Sequence, residues 1–139
     1  ICLDATGNMY VVDNGNFRIQ KFGPDCEYIA TLGRKGQGPG EFNRPSHMEL
    51  DSFGRILVAD PYQRRFEFLE RNGNHIKSVR MESYVTSLSC GKDGMILVGY
   101  GWSDSEGNQE YSKINDYKNF IESNIKNSYR HLHLWIDID

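Results

Sequence analysis

GRKGQGPGEFNRP, Gly33 to Pro45, is a glycine-rich crossing between two stretches that read alike. Before it stands GNMYVVDNGNFRIQKFGPDCEYIATLG, and after it GRILVADPYQRRFEFLERNGNHIKSV. Gly7 and Gly54, Asp13 and Asp60, and Arg18 and Arg65 are each 47 residues apart. One offset carrying three residue types is an internal repeat, and a repeat fixes how every other signal is read.

Each unit shows short strands punctuated by turns. In the first, Ile1 to Asp4 is a strand tail and Met9 to Val12 an apolar strand. Residues 13–16 turn, 17–22 alternate, 23–25 turn again and Glu27 to Leu32 forms the fourth strand. The second unit repeats this, with strands over Ser46–Asp51, Ile56–Ala59, Arg65–Glu70 and around Ile76 and Val79. Arg65 to Glu70 sets Phe66 and Phe68 opposite a charged face, and Asn72-Gly73-Asn74 is a hairpin turn. The third unit is fainter: Tyr84–Cys90 and Met95–Val98 are strands, and Gly101–Gln109 is a longer loop. Residues 115–126 carry both helical spacing (Tyr117, Phe120, Ile121, Ile125) and the place of the unit's remaining strands; the repeat favours strands. The expected units are 1–33, 46–80 and 84–126, with 130–139 opening a further one.

A meander of ~40–47 residues has the length of a propeller blade. Alone, such a sheet wets both faces of its apolar second strand. Stacking blade on blade buries those faces, at roughly 25 cal/mol per Å² of apolar area. The expected fold is therefore all-β, a partial β-propeller of four-stranded antiparallel blades. Propellers close with about 4–8 blades. Three are too few, so closure requires further blades of a longer chain or self-association.

The bulk numbers agree. Of 139 residues, 25% are charged and 38% hydrophobic, with 14 glycines, 7 Phe and 8 Tyr. A net charge of −3 gives no global field for nucleic acid. No apolar run approaches the ~20 residues of a membrane-spanning helix. Cys2, Cys26 and Cys90 lack a CxxC spacing, which disfavours a zinc cluster and suits small buried hydrophobes; whether any two pair stays open.

The pattern GxGPGEFxxP, then D-x-x-G-x-(I/M)-x-V-x-D, then an arginine five residues on, resembles the NHL-repeat family of β-propellers, above all six-bladed bacterial envelope forms. The match runs well over 1–80 and partly over 84–100. Tyr100 stands where the third unit would carry its aspartate. The resemblance implies a periplasmic or envelope setting, which no residue shows. Within the motif, Gly36, Gly38 and Gly40 let the crossing turn, with Pro39 limiting its freedom, and Phe42 plugs the gap between sheets ahead of Pro45. Asp13 and Asp60 accept turn N–H groups, and Arg18 and Arg65 pair with a carboxylate or backbone carbonyls.

The turn-rich end of the blades would display Arg34, Lys35, Arg44, Tyr62, Arg64 and Trp102, a mixed basic and aromatic surface for a protein, peptide or glycan. The leading expectation is a non-enzymatic binding module with no cofactor. The alternative is a lyase or hydrolase using a channel metal held by His47, His131 and His133, as in propeller lyases that the family resembles. RNA binding is weaker, for want of a Lys/Arg stripe. No P-loop, nucleophile elbow or dinucleotide fingerprint is present.

Overall fold

The computed structural model describes residues 1–81, 85–90, 95–100, 102–103, 109–110 and 133–137. The first unit is a four-stranded antiparallel meander: β1 (Cys2–Leu3), β2 (Met9–Asp13), β3 (Arg18–Phe22) and β4 (Tyr28–Leu32). The second repeats it with β5 (His47–Leu50), β6 (Ile56–Asp60), β7 (Arg65–Leu69) and β8 (His75–Arg80). Register repeats too. Asp13 faces Arg18 across β2 and β3, and Asp60 faces Arg65 across β6 and β7.

Turn chemistry explains why the strands end where they do. Asp4 and Asp51, again 47 apart, cap the β1–β2 and β5–β6 turns. Asp4 Oδ1 accepts from the Thr6 and Asn8 amides, and Asp51 Oδ1 from those of Phe53 and Arg55. The β2–β3 and β6–β7 turns are single 3-10 turns, over Asn14–Asn16 and Pro61–Gln63. Each closes on a residue in left-handed conformation, Phe17 (φ 59°) and Arg64 (φ 50°). A strain rare outside glycine thus recurs at equivalent positions.

The two sheets pack face to face. Tyr10, Ile19 and Leu32 of the first meet Met48, Ile56, Val58 and Leu69 of the second, with Phe42 from the crossing among them. Strands β6 and β7 are buried along their whole length, because the second sheet is covered on both sides. The charged face expected on β7 is therefore interior: Arg65 and Glu67 are buried. An alternating strand presents charge to water only if that side of its sheet is open. Strand β2 is wholly buried only at Tyr10, because only one face of the first sheet is covered.

A third sheet holds β9 (Val85–Cys90), β10 (Met95–Tyr100) and β13 (His133–Asp137), in the order β13–β10–β9. Strand β9 lies against β5 and β6. Where Gly101–Gln109 reads as a loop, β11 (Trp102–Ser103) pairs with β12 (Gln109–Glu110). The strand placed at the start of a further unit, within 130–139, instead pairs antiparallel with β10, Met95 to Gly99 facing Asp137 to His133. The edge of β10 opposite β9 accepts it. Residues 115–126, where the unit's remaining strands are expected, lie outside the described residues.

All three described cysteines are free thiols. Cys26 departs from the buried-hydrophobe reading. It sits exposed at the end of the 23–26 turn with φ 64°, its amide donating to the Gly23 carbonyl.

Candidate binding face and interblade crossing

The crossing runs over the turn end of both sheets. Its two arms pair as a short parallel bridge between Lys35 and Phe42. The Phe42 amide donates to Arg34 O (2.8 Å), and the Gly36 amide to Phe42 O (3.0 Å). Contact demands glycine at Gly33 and favours it at Gly36. Gly33 has φ +75°, and a Cβ there would stand 2.2 Å from the Phe42 ring. At Gly36 a Cβ would stand 2.0 Å from a Glu41 carboxylate oxygen. That carboxylate is used inside the crossing: Glu41 accepts from the Gly38 amide (2.9 Å) and from Arg34 Nε (2.8 Å). These two bonds, the Gly38 amide first, hold the Glu41 carboxyl below its ordinary 4.5.

The second sheet holds the crossing through three side chains. Arg65 Nη1 donates to Gln37 O (3.0 Å), and Nη2 to Gly38 O (2.7 Å) and Glu41 O (2.9 Å). Asp60 accepts from the amides of Asn43 (2.5 Å) and Arg44 (3.1 Å). Gln63 Nε2 bonds Asp60 Oδ2 and the Gly36 carbonyl. On the first-sheet side, Asn14 Nδ2 donates to Pro45 O (2.7 Å). Beneath Arg65, its Nε lies 2.7 Å from Glu67 Oε1. Glu67 Oε2 accepts from Ser78 Oγ and lies 3.0 Å from His75 Nε2.

Asp60 thus accepts amides of the crossing rather than of its own turn, a small correction to the sequence reading. Asp13 differs again. It accepts from side chains only: Arg18 Nε (2.9 Å), Gln20 Nε2 (3.1 Å) and Asn16 Nδ2 (2.9 Å). Those bonds, Arg18 first, hold its carboxyl below 3.8.

Most of the residues expected on the binding face stand on the crossing and the turns it overlies. Arg44 Nη1 donates to the Tyr62 hydroxyl (2.8 Å), and its guanidinium lies 4.8 Å from the Tyr62 ring centre. Lys35 Nζ lies 4.7 Å over the Phe17 ring. Arg34 is 81% exposed beyond its bond to Glu41. Arg64 is exposed, and its carbonyl accepts from the Met81 amide. The Trp102 side chain lies outside the described residues.

The metal candidates do not converge. His47 Nε2 is 3.7 Å from Glu49 Oε1, beside a cleft of about 280 Å³ that Cys2, Val12 and Asn14 also line. Among the described residues no three His, Cys, Asp or Glu side chains form a metal-holding group. His131 and the side chain of His133 lie outside them.

No family model matches the chain. Its fold is similar to the WD40 β-propeller domain of Doa1 (TM-score 0.56, 17% identity, 79% of this chain and 34% of that one). It is also similar to virginiamycin B lyase from Staphylococcus aureus (TM-score 0.59, 15% identity, 82% and 40%). Identities this low show the fold alone. NHL repeat-containing protein 3 of Mus musculus is 36% identical over 73 residues, 50% of this chain and 21% of that protein. The units resemble NHL repeats, and the chain has the fold of part of a β-propeller. It spans about a fifth of the length of that relative.

The aspartates, arginines and crossing glycines were legible in the sequence, whereas Gln63, Asn14 and the Glu67–His75–Ser78 group were not. The available signal for Glu67 was its placement between two buried phenylalanines on a strand that the repeat covers from both sides.

Proposed function

We propose that this chain is a non-enzymatic binding module whose turn-rich end engages a protein, peptide or glycan partner. The observation that carries this reading is the disposition of charge on the crossing. Its one acid, Glu41, is engaged by Arg34 and the Gly38 amide, whereas Lys35 and Arg44 are outward-facing and laid on aromatic rings. Cations held over Phe17 and Tyr62 keep a fixed position, so binding loses less side-chain entropy than it would with free lysines. Arg and Tyr are also the residue types that most often dominate binding energy at interfaces.

The test is selection of ligands from a peptide library and a glycan array on the full chain. Recovered ligands should lose about tenfold or more in affinity with Arg44→Ala combined with Tyr62→Ala. Ligands that bind this variant as well as the parent would place the binding surface elsewhere.

A further inference from the structure

Residues 47 apart hold equivalent places, so each sheet serves as a control for the other. The two differ in charge at the end opposite the β2–β3 and β6–β7 turns. In the first sheet that end is closed by neutral residues. Asn8 Nδ2 donates to Asp4 Oδ2 (2.9 Å), and the Thr6 hydroxyl to Asp4 Oδ1 (2.7 Å). Pro24 packs beside Gly7, and Ala30 faces Lys21 across β3 and β4. In the second sheet the same four places hold Arg55, Phe53, Arg71 and Lys77. Arg55 Nε donates to Asp51 Oδ2 (2.5 Å), the bond that Asn8 makes in the first sheet. The turns therefore close without a cation at these places, and the fold does not account for three of them.

The three are gathered. The Arg55 guanidinium lies 5.1 Å from the Phe53 ring centre and 5.5 Å from that of Phe68. Lys77 Nζ lies 4.8 Å over Phe68, which is fully buried, so two cations roof one ring. Arg71 lies across Gly54, the residue before Arg55, and its Nε donates to the Gly54 carbonyl (3.1 Å). Each arginine thus spends its Nε on the protein. Among the described residues, the terminal nitrogens of both make no hydrogen bond, and the Lys77 ammonium makes neither a hydrogen bond nor an ion pair. The acids at this end do not answer them. Asp51 is 1% exposed and accepts from the Phe53 and Arg55 amides besides Arg55 Nε. Glu70 turns to Asn74 Nδ2 (3.3 Å). Burial, and then Arg55, holds the Lys77 ammonium below its ordinary 10.5, as crowded cations without a counter-ion require.

We propose that Arg55, Arg71 and Lys77 form a binding site for a phosphate group, with Phe53 contacting the organic part of the molecule that carries it. Two guanidinium forks and an ammonium offer more donors than the two oxygens of a carboxylate use. They match the three outer oxygens and near-double charge of a phosphate monoester. Phe53, 67% exposed where Thr6 serves the first sheet, sets an apolar ring beside the charge. The site shares no residue with the binding face and does not rest on that reading.

The test titrates inorganic phosphate, and then phenyl phosphate, into the full 139-residue chain, followed by the arginine Nε–H and backbone amide signals in NMR. Saturable shifts at Arg55, Arg71 and Lys77 are expected, with phenyl phosphate bound about fivefold tighter through Phe53. A variant carrying the first sheet's residues, Arg55→Asn with Arg71→Pro and Lys77→Ala, keeps the turn chemistry and should bind about tenfold or more weakly. Arg34→Ala, which removes an exposed cation of the crossing, should leave the affinity unchanged. Once saturation is seen, co-sedimentation with phosphatidylcholine vesicles carrying phosphatidic acid tells a lipid headgroup from a soluble ester as the source of the phosphate. No saturation at millimolar phosphate, or equal binding by the triple variant, overturns the proposal. An equal loss in Arg34→Ala also overturns it, because general attraction by positive charge would then explain the binding.

Discussion

Arg18 and Arg65 hold the same place in the repeat, yet replacing them by alanine should have very different effects. Arg65 is 6% exposed, makes three bonds to crossing carbonyls and lies against the fully buried Glu67. Its loss leaves a buried carboxylate without its guanidinium and unties the crossing from β7. Breaking a buried pair from one side costs about 3–5 kcal/mol. Arg18 bonds one half-buried carboxylate and makes no bond to the crossing. The assay is urea unfolding of the full chain, followed by far-UV circular dichroism. Arg65→Ala should lower stability by about 3–5 kcal/mol, and Arg18→Ala should leave the midpoint unchanged within error. Adding Glu67→Gln to Arg65→Ala should restore part of the loss, since the stranded charge is gone. Equal effects of the two single variants, or no recovery in the double variant, would refute the reasoning.

Phe42→Ala empties the junction between the sheets and should cost about 3–5 kcal/mol in the same unfolding assay. The thiols should alkylate in a fixed order at mildly alkaline pH, read by mass spectrometry of digests. Exposed Cys26 reacts first, and Cys90, pushed up to about 12 chiefly by burial, reacts last. Raised in the folded state, the Cys90 thiol supports folding fully below its ordinary 9.0, and that contribution fades as pH climbs toward 12. Acid has the opposite sign. Burial opposes ionisation of Asp4, but bonds from Asn8 and Thr6 outweigh it and hold the carboxyl well below 3.8. Its contribution is present above 3.8 and is lost as pH falls through the folded value, so urea midpoints should fall in that range, and fall less in Asp4→Asn.

Strand order was legible because the offset of 47 fixes it twice over. Met9 to Val12 and Ile56 to Ala59 share an apolar pattern, and turns of Gly, Asn and Asp bound each. The role of Phe42 was legible too, since a lone aromatic in a glycine-rich crossing has one dry place to go. Side-chain partners were less so. Asp13 and Asp60 look identical in sequence, and their partners diverge because one sheet is covered by a crossing and the other is not. Charge on β7 read as solvent-facing because alternation alone does not say whether a sheet is covered on one side or two. The position of 133–137 beside β10 was hidden because the third unit lacks the aspartate and arginine that mark the others.

The fold depends on the two sheets meshing around Phe42. Side-chain nuclear Overhauser effects on the full chain test this most directly. Contacts are predicted from the Phe42 ring and the Tyr10, Ile19 and Leu32 side chains to Ile56, Val58 and Leu69. Intact strands within each sheet, with no such cross-peaks between them, would contradict it.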